Sequence, residues 1–294
     1  MRIGRVALLA MAGLATACSN LKAPTAPPVA NVTFTASRPR VAIGSPIDLT
    51  YKFDVLPNAS ISGDYTVFVH VLDADGTMIW TDDHDPPVKT SQWKPGQTIG
   101  PYTRTRFVPQ FPYTGQATIV VGLYKPGANE RLGLSSAVDD GRAASRREYK
   151  AGTLEIIPAP ANLVFGRGWY DPDGDPQNPA NRWRWTTKSA AMAMRNPKAD
   201  TTLYLESDAR ADIFTPPQTV TIVVNGQAVS TFSATNTQAE LRKIPIAASQ
   251  LGTGDIVEIR IDVDRTFNPS QLPVRALDTR DLGIRVYNVF LETR

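Results

Sequence analysis

Short runs in which apolar and polar residues alternate recur along most of the chain, and long helical stripes are scarce. In PIDLTYKFDV (46–55), Ile47, Leu49, Tyr51, Phe53 and Val55 take every second position. At that period one face of a β-strand meets a core and the other meets water. YTVFVHVLDADGTMIWTDD (65–83) predicts a hairpin, because two β-rich arms flank Asp75-Gly76, a pair suited to a tight turn. With TRTRFVP (103–109), ATIVVGLY (117–124) and GTLEIIP (152–158), the first half holds roughly seven strands, the number an immunoglobulin-like sandwich uses.

The second half repeats the logic. TTLYLES (201–207), AELRKIPI (239–246), DIVEIRIDV (255–263) and LGIRVYNVFLET (282–293) read as strands, and QTVTIVVNGQAVSTFSA (218–234) reads as a hairpin turning at Asn225-Gly226. In 255–263, Val257, Ile259, Ile261 and Val263 alternate with Ile256, Glu258, Arg260 and Asp262, so one face is covered and one is wet. Antiparallel sheets of this kind build sandwiches and jelly rolls. IIPAPANL (156–163) breaks the pattern with two prolines. The expectation is therefore an all-β protein: an immunoglobulin-like β-sandwich over 31–158, then a jelly-roll-like, carbohydrate-binding-module-like β-sandwich over 162–294. With one cysteine in the chain, neither domain has an internal disulfide and both must be held by packing.

The N-terminus adds a compartment. Arg2 and Arg5 precede an apolar run from Val6 to Ala17 that is too short to span a bilayer, which predicts a signal peptide over 1–17. The run ends LATAC and resembles the lipobox of bacterial lipoproteins, in which the cysteine is lipidated. That resemblance implies lipidation at Cys18, although Leu14 stands four residues before it where three is usual. An ordinary cleavage near Ala17 that leaves a free thiol is the other reading. Residues 18–30 then form the lipidated Cys and a Pro/Ala-rich linker, NLKAPTAPPVA, with no apolar periodicity. The expected location is the bacterial outer membrane, attached through the N-terminal lipid only and facing periplasm or cell surface. Without residues 1–17 the chain carries 29 basic against 28 acidic residues, and so balanced a surface excludes a nucleic-acid partner, whose phosphates demand a concentrated positive face.

Candidate chemistry concentrates in GWYDPDGDPQNPANRWRW (168–185), which holds three of the five tryptophans. Trp169, Tyr170, Trp183 and Trp185 are candidates for carbohydrate binding, since flat rings stack on the apolar faces of sugars; they serve equally to close the end of a sandwich. Trp183 and Trp185 are two apart and share a face if the segment is a strand, a platform where that face is wet and core where it is covered. Asp171, Asp173 and Asp175 are spaced as the first three ligands of a calcium loop. Position six, however, is Pro176 and position twelve is Arg182, so a structural Ca2+ and a solvated loop both remain readings. No other cofactor is implied. His70 and His84 flank the first predicted hairpin near Asp82, Asp83 and Asp85, as a metal set or as hydrogen-bonding residues at a sandwich edge. No Gly-x-Ser-x-Gly elbow, Walker loop, dinucleotide fingerprint or HExxH motif occurs.

Two family resemblances follow from residues already quoted. His70, Asp75-Gly76, the His84-to-Pro87 step, Trp93 with Pro95 and Gly96, Gly122 to Tyr124, and Arg131-Leu132 resemble a periplasmic β-sandwich domain appended to some membrane glycosyltransferases. GWYDPDGD, NRWRWT, VNG, TFNP and DTRDLGIRVYNV resemble a β-sandwich module of surface-polysaccharide proteins. These resemblances imply an envelope lipoprotein that binds a cell-surface or extracellular polysaccharide without catalysis. The alternatives are a protein-docking scaffold for a membrane glycosyltransferase or polysaccharide export complex, and a carboxylate-based glycan hydrolase.

Overall fold

The computed structural model describes residues 27–128, 130–135, 146–159, 163–176, 178–274 and 276–293. The predicted signal peptide, Cys18 and the spacer up to residue 26 lie outside them. The chain is an all-β protein of two sandwiches. In the first, one sheet has the order β6 (Thr98–Phe107), β3 (Pro46–Val55), β1 (Ala30–Ala36), β9 (Leu134–Ser135). The facing sheet runs β2 (Arg40–Ala42), β10 (Tyr149–Ile157), β7 (Gly115–Tyr124), β4 (Thr66–Leu72), β5 (Met78–Thr81), with β8 (Arg131–Leu132) also against β7. The alternation in β3 does what its period dictates: Ile47, Leu49, Tyr51 and Phe53 are buried between the sheets against Val67, Val69, Ile119 and Leu154. Each such side chain contributes on the order of 1.5–3 kcal/mol by leaving water. Trp93 stacks near Phe53 and donates its Nε1–H to the Val88 carbonyl at 2.9 Å.

Where β5 and β6 leave the sandwich edge open, a charged bolt closes it. Arg104 and Arg106 pair across β6 with Leu49 and Ile47 and so share their inward face. There they meet Asp82, whose side chain is 2% exposed. Arg104 and the Tyr51 hydroxyl both donate to its carboxylate, Tyr51 at 3.0 Å. His84 donates from Nδ1 to the Asp82 carbonyl at 2.7 Å and meets the Tyr102 hydroxyl through Nε2 at 2.9 Å.

In the second sandwich β11 (Leu163–Phe165), β14 (Ser189–Arg195), β19 (Ile256–Val263), β16 (Gln218–Val224) and β17 (Gln227–Ala234) form one sheet in that order. The other runs β12 (Asp173–Asp175), β13 (Asn178–Trp185), β20 (Arg285–Thr293), β15 (Thr201–Asp208), β18 (Glu240–Ile246). Leu203, Leu205, Val220, Ile222, Ile259 and Ile261 fill the space between. Asn225 and Gly226 take φ of 47° and 84°, the left-handed pair a two-residue hairpin turn requires. The short helix α1 (Ala248–Leu251) packs beneath that turn, Asn225 Nδ2 donating to the Leu251 carbonyl. Among the described residues no helix is long and apolar enough to cross a membrane.

Among the described residues, two ion pairs join the sandwiches. Arg38 reaches Glu292 of β20 at 2.5 Å, and Lys243 of β18 reaches Asp48 of β3 at 3.2 Å. The Tyr204 hydroxyl donates to the same Glu292 at 2.8 Å. The first sandwich thus sits over the outward face of the β12-β13-β20-β15-β18 sheet.

Candidate functional site in the cleft between the sandwiches

Beside these ion pairs the domains part around a cleft of about 760 Å3. Trp80, Arg106 and Gln110 line it from the first sandwich; Arg182, Glu206, Asp208, Arg285, Tyr287 and Asn288 line it from the second. The second wall exists because of a β-bulge. Along β15, Leu203 and Leu205 face the core while Glu206 and Asp208 face out. Glu206 pairs with Asn288, but the next residue, Ser207, pairs with Val286, so Tyr287 is the extra residue of β20. A bulge re-aims side chains: Ile284 and Val286 point to the core on one side of it and Val289 and Leu291 on the other. Tyr287 and Asn288, though adjacent, both line the cleft.

The floor is held by a buried ion pair. The Asp208 side chain is 1% exposed and accepts from Arg285 Nε at 2.8 Å, Arg285 Nη2 at 2.5 Å and the Tyr287 hydroxyl at 2.9 Å. Burial opposes the charge on Arg285, but the Asp208 hydrogen bonds outweigh it and raise its pKa. Burial, then the Asp208 carboxylate, holds the Tyr287 hydroxyl well above the usual phenol range, so it remains a donor. The guanidinium also lies 5.2 Å from the Trp183 ring centroid and 5.5 Å from those of Trp185 and Tyr287, an aromatic box of the kind that favours a cation.

The aromatic candidates separate by role. Trp185 is 8% exposed and packs edge-on against Phe267 at 5.6 Å, so it belongs to a small core with Leu282. Tyr170 is half-buried, donates to the Asp281 carbonyl at 3.1 Å and lies under Arg280. Trp169 donates its Nε1–H to the Ala191 carbonyl at 2.8 Å and meets Phe165 edge-on at 5.0 Å. Both therefore pin the corner, and one glycine makes the corner possible. Gly168 has φ of 82°, and a Cβ there would stand 1.9 Å from the Ser189 carbonyl oxygen. Trp183 is half-buried with its ring 6.0 Å from that of Tyr287, and its Nε1, buried, has no hydrogen-bond partner among the described residues. It borders a second opening. β13 pairs with β20 over Arg184–Val286 and Trp185–Arg285 alone, and a slot of about 380 Å3 lies among Phe165, Trp169, Trp183, Arg184 and Val289. Gly44, Gln110, Arg182, Tyr287 and Asn288 line both slot and cleft, so the two form one groove.

The three aspartates do not assemble as calcium ligands. Asp173 is bound by Arg280 at 2.8 Å, Asp171 is exposed outside β12, and a register shift at Gly174/Asp175 interrupts the alternation. Among the described residues no group of three His, Cys, Asp or Glu is arranged to hold a metal ion. The histidines differ: His84 hydrogen-bonds within the Asp82 network, whereas His70 lies against Phe68 with ring centroids 4.9 Å apart and its Nε2 4.0 Å from Asp83, too far for a hydrogen bond. Sequence reasoning missed Arg106, Gln110, Glu206 and Asp208. Arg285, Tyr287 and Asn288 fall in the quoted DTRDLGIRVYNV, but a bulge has no signature there.

No protein-family model and no curated protein matches the chain. Solved structures share its β-sandwich architecture in part. A Bacteroides uniformis β-glucuronidase aligns at 14% identity and TM-score 0.29, over 87% of this chain and 28% of that one. A family 35 carbohydrate binding module from an environmental isolate aligns at 14% identity and TM-score 0.27, over 44% of this chain and 90% of that one. A Clostridium perfringens structure joining an M60 catalytic domain to two CBM51 domains aligns at 10% identity and TM-score 0.21, over 83% of this chain and 34% of that one. Likenesses this distant carry no function across, so function is read from the groove itself.

Proposed function

We propose that this is a non-catalytic, lipid-anchored lipoprotein of the bacterial outer membrane that binds a polysaccharide in the groove between its sandwiches. The observation that carries the reading is the bulge in β20, which presents a ring and an amide, Tyr287 and Asn288, side by side opposite Gln110. Rings cover the apolar C–H faces of sugars, and amides both donate to and accept from their hydroxyls. An open groove that continues from cleft to slot suits a chain better than a monosaccharide. The carboxylates of the cleft support binding over hydrolysis: both oxygens of Asp208 are occupied by Arg285 and Tyr287, and Glu206 accepts from Asn288 Nδ2 at 2.6 Å. A hydrolase needs a free acid and base pair.

One observation favours the docking-scaffold reading. β17 (QAVSTFSA) pairs on one side alone and carries no charge or proline, the usual guards of a sheet edge. Screening the soluble chain from Ser19 against a polysaccharide panel, with Asn288→Ala and Trp169→Ala alongside, separates the two. We expect binding that Asn288→Ala weakens by about tenfold or more, the loss of a site hydrogen bond. Binding indifferent to Asn288→Ala, or no binding, overturns the groove assignment.

A further inference from the structure

We propose that the groove selects acidic polysaccharides, with Arg106 and Arg182 gripping a sugar carboxylate from opposite walls; this rests on the reading of the groove as a glycan site. Three guanidinium groups line the cleft, and they differ in what they have left to give. Arg285 is consumed by Asp208 and its aromatic box. Arg106 is paired with Asp82 but not hydrogen-bonded to it. Its Nε lies 3.0 Å from Asp82 Oδ1 but off the line a hydrogen bond needs, and the Asp82 oxygens already accept from Arg104 and Tyr51. One buried carboxylate therefore faces two guanidinium groups, and the Arg106 side chain, 41% exposed, makes no hydrogen bond among the described residues. Arg182 is exposed and makes neither an ion pair nor a hydrogen bond among them.

The remaining charges do not cancel this surplus. Asp208 is matched by Arg285, and among the described residues Glu206 is the one other carboxylate on the cleft wall. Arg106 belongs to the first sandwich and Arg182 to the second, so an anion held by both bridges the domains. A planar carboxylate accepts paired N–H bonds from a guanidinium, whereas a neutral sugar's hydroxyl offers no charge and no fork. Beside these groups, Gln110, Asn288 and Tyr287 supply the contacts any sugar would use.

The test uses the soluble chain from Ser19 and titrates polygalacturonate, alginate and hyaluronan fragments, each beside its carboxyl-reduced counterpart, with dextran sulfate as a plain polyanion, all at about 0.15 M salt to screen diffuse attraction. The expected result is that at least one acidic polymer binds about tenfold or more tightly than its reduced form. Arg182→Gln removes that difference without moving the thermal midpoint, and Arg182→Lys, which keeps the charge but loses the fork, restores part of it. If reduced polymers bind as tightly as acidic ones and Asn288→Ala still weakens binding, the acidic preference is wrong and the glycan groove stands. Dextran sulfate binding as tightly as the carboxylates overturns carboxylate recognition. If nothing in the panel binds, acidic or reduced, both readings fall together.

Discussion

Replacing Asp208 by Asn changes one oxygen for an NH2 group and removes a charge from the cleft floor with almost no change of shape. Its side chain is 1% exposed and accepts three hydrogen bonds, two from Arg285 and one from Tyr287. In the variant an amide donor must face one of those donors, and Arg285 keeps its charge without a counterion. Breaking a fully buried pair costs about 3–5 kcal/mol. The Arg285 side chain is 26% exposed, so water recovers part of that and the expected loss is about 2–4 kcal/mol. At roughly 2.1 cal/mol/K per residue for a sandwich of about 130 residues, this lowers the melting midpoint by roughly 7–15 °C. Calorimetry of Asp208→Asn, Arg285→Gln and the double variant measures both the loss and the coupling. We expect the double variant to be less destabilised than the sum of the single ones by at least about 1 kcal/mol, as linked groups are. A loss below about 1 kcal/mol, or additivity within about 0.5 kcal/mol, would refute the ion pair as the support of the floor.

The histidines set an acid limit. Burial lowers the pKa of both His84 and His70 below the ordinary 6.5, so the unfolded chain takes up these protons first. Stability is then complete above about pH 6.5 and falls as pH drops below it, with a slope of up to about 1.4 kcal/mol per pH unit for each histidine. Urea midpoints between pH 5 and 7 should show this fall, and His84→Gln should flatten it; an unchanged slope in that variant would assign the effect elsewhere. Gly168→Ala should destabilise the second sandwich by about 2 kcal/mol or more, because both φ and the Ser189 carbonyl oppose a Cβ. A thermal midpoint within about 2 °C of the parent would show that the corner yields.

Elements with strict alternation were legible. The predicted strand 46–55 is β3, and the predicted hairpins at 65–83 and 218–234 are β4–β5 and β16–β17, each turning at its Asp-Gly or Asn-Gly pair. β14 was not legible: Ser189–Arg195 reads SAAMAMR, poor in β-branched residues, and tertiary pairing with β11 and β19 makes it a strand. β13 was hidden by Pro172, Pro176 and Pro179, which read as loop. Whether Trp183 and Trp185 form a platform or core depends on whether their shared face is wet or covered. They do share a face, but a segment bearing Phe267 and Leu282 covers Trp185 and leaves Trp183 at the groove. That long-range packing is invisible to spacing. So is the bulge, since VYNV alternates no differently with it than without it.

The same packing explains why the rigid part of the site lies in the second sandwich. Tyr287 is fixed through its hydroxyl by Asp208, and Asn288 by Glu206, before any ligand arrives. The ordering cost of these side chains is therefore met on folding rather than on binding. Arg106 and Arg182 line the cleft from separate sandwiches, and the exposed or half-exposed pairs Arg38–Glu292 and Lys243–Asp48 also join the two. Pairs of this kind contribute little each. A ligand anion that engages both arginines adds a third joint across the cleft. Binding and domain alignment are then one event, and affinity depends on how the wall bearing Arg106 settles onto a floor already set by Asp208.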